Sequence, residues 1–269
     1  MRKILKRGYL ALILFFLYVP ITILIFQSFN AGKSRAKWEG FSLRWYAELF
    51  QDQSIMRALY ITVTVAVIAA IIATILGTLA AIGIHAMRKR PQSVMMTITN
   101  LPMTMPDIVT GLSLMILFTF AKVERGYVTM LLAHITFNTP YVILSVLPKL
   151  KQMNKHTYEA ALDLGATPTY ALWHVIIPEI KQGIVTGALL AFTLSLDDFV
   201  ISYFTTSPLV QNLSTLIYSK ARIGIEPTLN ALSALMFVSL LLLLVIVNKR
   251  TSEDKPAKVK GARRVSAAK

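Results

Sequence analysis

Residues 149–182 read KLKQMNKHTYEAALDLGATPTYALWHVIIPEIKQ, a polar segment that separates two long apolar runs of the chain. A short helix is expected over 155–164, with Asn154 or Thr157 as its N-cap. Gly165 follows this helix, at the position where a left-handed residue is favoured. The segment is therefore predicted to begin with one short helix that stops at a glycine turn.

A second short helix is expected after this turn, with Thr167 before it and Pro168 in its first position. Pro178 closes the segment. Ala160 and Ala161 are small, so the surface of another protein can approach the backbone closely. Two helices around a glycine turn also occur in DNA-binding proteins, but a unit tethered at both ends by apolar runs is poorly placed for DNA. An ordinary amphipathic surface loop is the alternative.

Outside this segment the chain is strongly apolar. Of its 269 residues, 55% are hydrophobic and 15% are charged, and the mean hydropathy is +0.60, too apolar for an ordinary soluble domain. We predict an all-α integral membrane protein, with a transmembrane domain over 1–250 and a basic, disordered tail over 251–269. Six runs reach the roughly 20 residues that a transmembrane helix needs: 9–29, 58–87, 91–121, 126–148, 182–206 and 227–248.

The distribution of Lys and Arg predicts the orientation of the six runs. If the runs alternate in direction, nineteen of the 28 basic residues lie on the side that holds both termini and the 149–182 segment, and nine lie on the other side. The positive-inside rule therefore places both termini in the cytoplasm. The net charge of +15 mostly reflects this asymmetry and does not indicate a nucleic-acid site.

Several kinds of site are excluded by the sequence. AGKS (31–34) has the ending of a phosphate-binding loop, but that pattern needs a glycine where the chain has Gln27, so no nucleotide site is expected. The absence of cysteine excludes disulfides, thiol catalysis and Cys-type zinc sites. His85 and His134 lack a second ligand nearby and are interpreted as hydrogen-bonded polar residues, so no metal site is expected.

Three acidic residues interrupt the apolar runs: Asp107 in the third, and Asp197 and Asp198 in the fifth. A carboxylate at the bilayer centre costs about 2.5–3.5 kcal/mol on insertion scales, and ionisable groups there mostly mark transport paths. Along straight helices, Asp107 and Asp197 lie about 25 Å and about 24 Å from the last inner positive charge. Pro102 and Pro106 predict a kink or break before Asp107. The alternatives are a helix cap for Asp107 and a structural partner for one of the pair.

The sequence EAALDLGATPTYALWHVIIP (159–178) resembles the EAA loop of bacterial ABC importer permeases, whose pattern is E-A-A-x3-G-x9-I-x-L-P. Val175 and Ile177 replace the Ile and Leu of that pattern, and both replacements are conservative. The resemblance implies a type I ABC importer permease fold and a coupling helix that docks into a groove of the ATPase subunit. The coupling residues that it implies are Glu159, Ala160, Ala161, Gly165 and Pro178.

The likeness extends over about 1–250. LPMTMPDIVTGLSL (101–114), HITFNTPYVILSV (134–146) and LSLDDFVISYF (194–204) resemble spans of spermidine/putrescine importer permeases of the PotC type, and FSLRWYAELF (41–50) is similar to their first outer segment. The resemblance implies a multi-pass location in the bacterial inner membrane, a heterodimer with a second six-span subunit, and an external polyamine-binding protein. It also implies two ATP-binding subunits that hold ATP and Mg, so that this chain is not an enzyme and carries no cofactor.

The chemistry of a polyamine supports this reading, because an apolar stem with ammonium groups calls for carboxylates and aromatic faces. The candidate residues of the substrate pathway are Asp107, Asp197, Asp198, Trp45 and Tyr218. For the two aromatic residues, membership of an interfacial belt is an equal alternative. Two other functions stay open: an ABC permease for another small solute, and a proton-coupled secondary transporter, which would give the 155–178 segment no role.

Overall fold

The computed structural model describes residues 2–34, 36–224 and 226–253. Within these residues the chain is helical, with two isolated β-bridges and no longer strand, so the predicted all-α class is confirmed. Thirteen α-helices and one π-helical turn occur in this order: α1 Arg2–Gln27, α2 Arg44–Gln51, α3 Gln53–Ala86, α4 Lys89–Thr104, α5 Asp107–Phe120, α6 Tyr127–Gln152, α7 Lys155–Asp163, α8 Pro168–Ala171, the π turn Leu172–Ile176, α9 Ile177–Glu179, α10 Lys181–Asp197, α11 Val200–Thr205, α12 Leu213–Ile223 and α13 Pro227–Glu253.

The helices correspond to the six apolar runs, but not all of them are single straight spans. Three are long and apolar enough to cross a membrane: Lys6–Gln27 within α1, α3 and α6. Two bent pairs, α4 with α5 and Pro168–Glu179 with α10, raise the number to five if each pair is one span. Pro227–Leu242 within α13 is a shorter apolar helix. By length and composition the described residues thus hold three to five spans, and six spans with cytoplasmic termini stay a prediction. Of the predicted tail, 254–269 lie outside the described residues.

The predicted break in the third run is confirmed. α4 ends at Thr104, α5 begins at Asp107, and the two axes are bent by 102°. Pro106 occupies the N-cap position of α5, whereas Pro102 lies inside α4 without ending it. Two helices at this angle cannot both follow the membrane normal. The depth of Asp107 therefore does not follow from counting residues along a straight helix.

The chain forms two compact units, and one of them comprises 50–225. Its centre is the packing of α3, α6 and α10 on one another. Val142 of α6 lies between two glycines: a Cβ added to Gly77 of α3 would come within 2.6 Å of the Val142 Cβ, and one added to Gly187 of α10 would come within 3.1 Å of its Cα. Only residues without a Cβ allow helices to approach this closely. The three helices are therefore in near-backbone contact.

The other unit comprises 1–49 and 226–269. In it α1 packs against α13, and the apolar window of α1 has no buried residue. The connection that follows α1 is organised by the buried Asn30, whose Nδ2 donates to the Lys37 carbonyl at 2.8 Å and whose Oδ1 accepts from the Glu39 amide at 2.9 Å. An apolar helix surface of this size is suited to lipid or to another subunit.

Candidate functional site

The turn after α7 has the conformation that its glycine predicts. Asn154 caps α7, with its Oδ1 accepting from the His156 amide at 3.1 Å. Gly165 has φ +87°, and its amide donates to the Leu162 carbonyl at 2.9 Å. Glycine adopts this left-handed backbone without a Cβ penalty and so satisfies the carbonyls at the end of the helix.

The second helix also begins where predicted. Thr167 Oγ1 accepts from the Tyr170 amide at 3.3 Å, and Pro168 is the first residue of α8. The side chains along this turn are strongly exposed, with Leu164 at 89% and Tyr170 at 55%. A shallow groove of about 490 Å³ follows the turn and is lined by Ala161, Leu164, Gly165, Ala166, Thr167 and Tyr170.

The segment does not end at Pro178, as the sequence suggested. Pro178 lies inside α9, and the 70° bend comes at Ile180, between α9 and α10. Because proline has no amide hydrogen, it cannot bond back to the preceding turn. A π turn, Leu172–Ile176, precedes it, in which the Ile177 amide donates to the Leu172 carbonyl. The effect of Pro178 is thus to change the winding of the helix before it, and the helix continues to Glu179.

The predicted coupling residues form a largely exposed surface. The Glu159 side chain is 68% exposed and its Oε2 lies 3.2 Å from Nδ1 of His156, which is 84% exposed. Ala160 and Pro178 are exposed as well, and Ala161 is half-buried. A wide cavity of about 1060 Å³ lies between α7, α8 and the end of α3, and Glu159 is one of the residues that line it. The two short helices thus project from the unit, and the surface of another protein can reach both of them.

The adjacent aspartates at the break between α10 and α11 have different surroundings. Asp197 is the last residue of α10 and is exposed. The Asp198 side chain is 9% exposed, and its carboxylate accepts from the amides of Ile201 at 3.2 Å and Ser202 at 2.7 Å. Asp198 therefore caps the first turn of α11. We keep Asp197 as a pathway candidate and remove Asp198, which faces the interior of its own chain.

A buried polar cluster surrounds Asp198. His134 of α6, 1% exposed, places its Nε2 3.4 Å from Oδ2 of Asp198 and 3.0 Å from Oγ of Ser202. Asn212 donates to Ser202 Oγ at 2.8 Å and to the Asp198 carbonyl at 3.1 Å. Such bonds compensate a carboxylate for its loss of water. The sequence predicted a bonded His134 but not its partners, because Ser202 is 68 residues further along the chain.

Asp107 is exposed at the first position of α5 and is not its N-cap, which is Pro106. A carboxylate in the first helical turn is favoured by the positive end of the helix dipole. α5 packs against α11, where a Cβ added to Gly111 would come within 3.0 Å of the Phe204 ring. The helix that begins at Asp107 thus lies against the helix that follows Asp197.

Tyr218 belongs to an aromatic cluster that joins α12 to the break before α11. Its ring centroid lies 4.8 Å from that of Phe199 and 5.8 Å from that of Tyr203, and the Phe199 and Tyr203 rings are 5.5 Å apart. Tyr218 and Tyr203 are 40% and 47% exposed. The guanidinium carbon of Arg222 lies 5.7 Å from the Tyr218 centroid. The cluster therefore offers partly open aromatic faces to a cation.

Trp45 has a packing role in the other unit. It is 2% exposed, its Nε1 donates to the Asn30 carbonyl at 2.6 Å, and the Arg44 guanidinium lies 5.0 Å from its ring centroid. A ring that is covered in this way has no face free for a solute. We therefore remove Trp45 from the pathway candidates.

An ion pair joins the start of α3 to α12. The Asp52 carboxylate lies 2.9 Å from Lys220 Nζ and caps α3 by accepting from the Ser54 and Ile55 amides. Burial raises the pKa of Asp52, but hydrogen bonds from the Ser54 hydroxyl, from Lys220 and from the two amides outweigh burial and lower this pKa to about 2. Asp52 is therefore ionised at any physiological pH. The ion pair joins α12, which carries Tyr218, to the start of α3.

Apolar helices with sharp bends, a glycine-packed centre and a pair of exposed short helices are features expected of a membrane transport subunit. Residues 73–250 match the family described as "Binding-protein-dependent transport system inner membrane component", and the chain belongs to this family. It is therefore a permease of the inner membrane and not an enzyme. In such a transporter the nucleotide belongs to a separate ATPase subunit.

Two relatives from Escherichia coli (strain K12) illustrate the similarity. The chain is 41% identical to the "Putrescine transport system permease protein PotI" over 228 residues, which cover 82% of this chain and 81% of the relative. It is 36% identical to the "Spermidine/putrescine transport system permease protein PotC" over 253 residues, which cover 94% and 96%.

Solved structures of bacterial ABC transporters share the fold. A chain of the transporter involved in import of the acidic polysaccharide alginate matches with a TM-score of 0.72 at 18% identity, covering 94% of this chain and 97% of that one. A chain of the inward-facing methionine transporter MetNI matches with a TM-score of 0.63 at 16% identity, covering 78% and 97%. The expected ABC importer permease fold is thereby confirmed.

Proposed function

We propose that this chain is a membrane-spanning permease subunit of an ATP-driven polyamine importer, in which it forms half of the translocation pathway. A second six-span permease, two ATP-binding subunits and an external polyamine-binding protein complete the assembly. The observation that carries the proposal is the similarity to two permeases named for putrescine and for spermidine/putrescine transport, which extends over more than four fifths of each chain.

The chemistry of the site supports a polyamine as substrate. A dication that leaves water loses hydration, which carboxylates replace by charge-assisted hydrogen bonds worth about 1.5–3 kcal/mol each. Asp107 and Asp197 are exposed at the ends of α5 and α10, and neither is used as a cap within its own chain. The two acids are therefore available to ammonium groups.

The coupling segment supports the ATP-driven mechanism. Glu159 and Ala160 of α7 and Gly165 of the turn after it are exposed, and backbone hydrogen bonds to α7 close this turn. A short helix with small residues on its surface fits into a groove of a partner protein. A secondary transporter needs no such projecting helix.

The test is uptake of radiolabelled putrescine and spermidine by the complete assembly in proteoliposomes with internal ATP. We expect Asp107→Asn and Asp197→Asn each to reduce uptake at limiting substrate at least about tenfold, equivalent to about 1.4 kcal/mol, because they remove the charge and keep the shape. Glu124→Gln, at an exposed acid outside the bent helices, is the matched control and should transport normally.

Three results would contradict the proposal. Uptake that persists without the ATPase subunits would indicate a secondary transporter. ATP-dependent uptake of another solute, but of no polyamine, would leave an ABC permease with a different substrate. Wild-type rates for both Asn variants would make the two acids structural.

A further inference from the structure

Arg222 makes a contact that the transport role described so far leaves unused. It is exposed on α12, and its guanidinium carbon lies 5.7 Å from the centroid of the Tyr218 ring, within the distance at which a cation is attracted to an aromatic face. Tyr218 contacts Phe199 and Tyr203, which belong to a different segment of the chain. Three rings from two segments thus meet beside one positively charged side chain.

We propose that Phe199, Tyr203 and Tyr218 form a binding site for one ammonium group of the substrate, and that Arg222 occupies this site while substrate is absent. The inference rests on the proposed polyamine function and deepens it. It assigns the recognition of one ammonium to aromatic faces, in addition to the carboxylates. It also gives Arg222 the role of an internal competitor.

The geometry favours a site over simple core packing. Tyr203 and Tyr218 are 47% and 40% exposed, so a solute can reach their faces. Phe199 lies two residues after the exposed Asp197, which puts a carboxylate on the same helix break. Asn212 fixes the two segments together, since its side chain caps α12 and donates to the Asp198 carbonyl. The rings are therefore held in place before a substrate arrives.

There is a physical reason for Arg222 to compete with the substrate for this site. A transport site must release its cargo, so it must not bind an ammonium too tightly. Arginine and a primary ammonium both bind to aromatic faces, and the two cannot occupy one face together. A substrate must displace Arg222 to enter, and Arg222 returns when the substrate leaves. Its return both weakens binding and favours release.

The experiment measures binding of putrescine to the complete assembly in nanodiscs, without binding protein or ATP, by a saturation-transfer NMR titration. We expect Tyr218→Leu to weaken binding about fivefold and Arg222→Gln to strengthen it about threefold, in line with one cation–aromatic contact each. Tyr218→Phe keeps the ring and should bind within about twofold of the wild type. Arg57→Gln removes an exposed positive charge from α3 and should change nothing.

A double variant separates competition from general electrostatics. If Arg222 acts through the Tyr218 ring, Arg222→Gln has no further effect once Tyr218→Leu is present. Weaker or unchanged binding by Arg222→Gln alone overturns the proposal, even if Tyr218→Leu proves unstable. If the wild type binds and imports polyamines and every variant binds them with the same affinity as the wild type, this inference alone is contradicted. A wild type that neither binds nor imports any polyamine contradicts the proposed function as well.

Discussion

Asp197 and Asp198 are neighbours in sequence, yet one is exposed and the other caps a helix from a buried position. The sequence predicts that two carboxylates in an apolar run have a purpose, because of their cost in a membrane. It does not predict which of the two is structural. That difference depends on His134 of α6, which comes from a distant part of the chain and meets the Asp198 carboxylate only in the folded molecule.

This division of roles makes a prediction about stability. Asp198→Ala should lower the free energy of unfolding by about 3 kcal/mol, because it leaves His134 buried without a carboxylate and two amides without an acceptor. Asp197→Ala, at the exposed neighbour, should change it by less than about 0.5 kcal/mol. Denaturant unfolding of the purified chain in detergent micelles measures both. Equal losses in the two variants would show that burial does not distinguish the aspartates.

At the scale of elements, the preferences of neighbouring residues are sufficient to predict the caps and the turn of the coupling segment. The cap at Asn154, the left-handed Gly165 and the restart at Pro168 all follow from residue types within a few positions of one another. The π turn at Leu172–Ile176 does not, because a proline permits several outcomes: a helix end, a kink or a change of winding.

The coupling segment carries the second prediction. Gly165→Asp should abolish transport, because it places a charged side chain at a left-handed position on the proposed docking surface. Glu159→Lys should do the same by reversing an exposed charge. Both variants should still insert into the membrane. Co-purification of the ATPase subunits, measured together with uptake, tests this.

The controls for this experiment lie in the same segment. A Cβ at Gly165 would meet no heavy atom within 4 Å, so Gly165→Ala adds backbone strain without a clash and should retain measurable coupling. If Gly165→Asp and Glu159→Lys both assemble and transport like the wild type, this surface is not where the ATPase docks.

At the scale of the whole molecule, composition predicts the membrane class and the approximate positions of the six runs, since a spanning helix is long and apolar. It does not predict how straight the runs are. The 102° and 70° bends arise where prolines and packing meet, and they make the depth of a residue independent of its place in the sequence. The orientation of the chain in the membrane is therefore predicted from the distribution of Lys and Arg and not from the depth of single residues.

The third prediction tests that orientation. Single cysteines at Lys37 and Ile223 should react with a membrane-impermeant maleimide added outside, and one at Lys151 should react only after the membrane is opened. All three positions are exposed, and the chain has no cysteine of its own, so the assay has no background. External labelling at Lys151 would reverse the topology.

The close contacts of Gly77 and Gly187 with Val142 have a mechanical consequence. Helices that approach this closely clash when they slide or roll past one another, so we expect α3, α6 and α10 to move as one rigid body. Ile180 is fully buried at the base of that body, where the coupling segment joins α10. If the ATPase docks at the turn around Gly165, we expect its movement to tilt the three helices together. At 1.5 Å per residue, this tilt would reach the Asp197 end of the 17-residue α10 about 25 Å away.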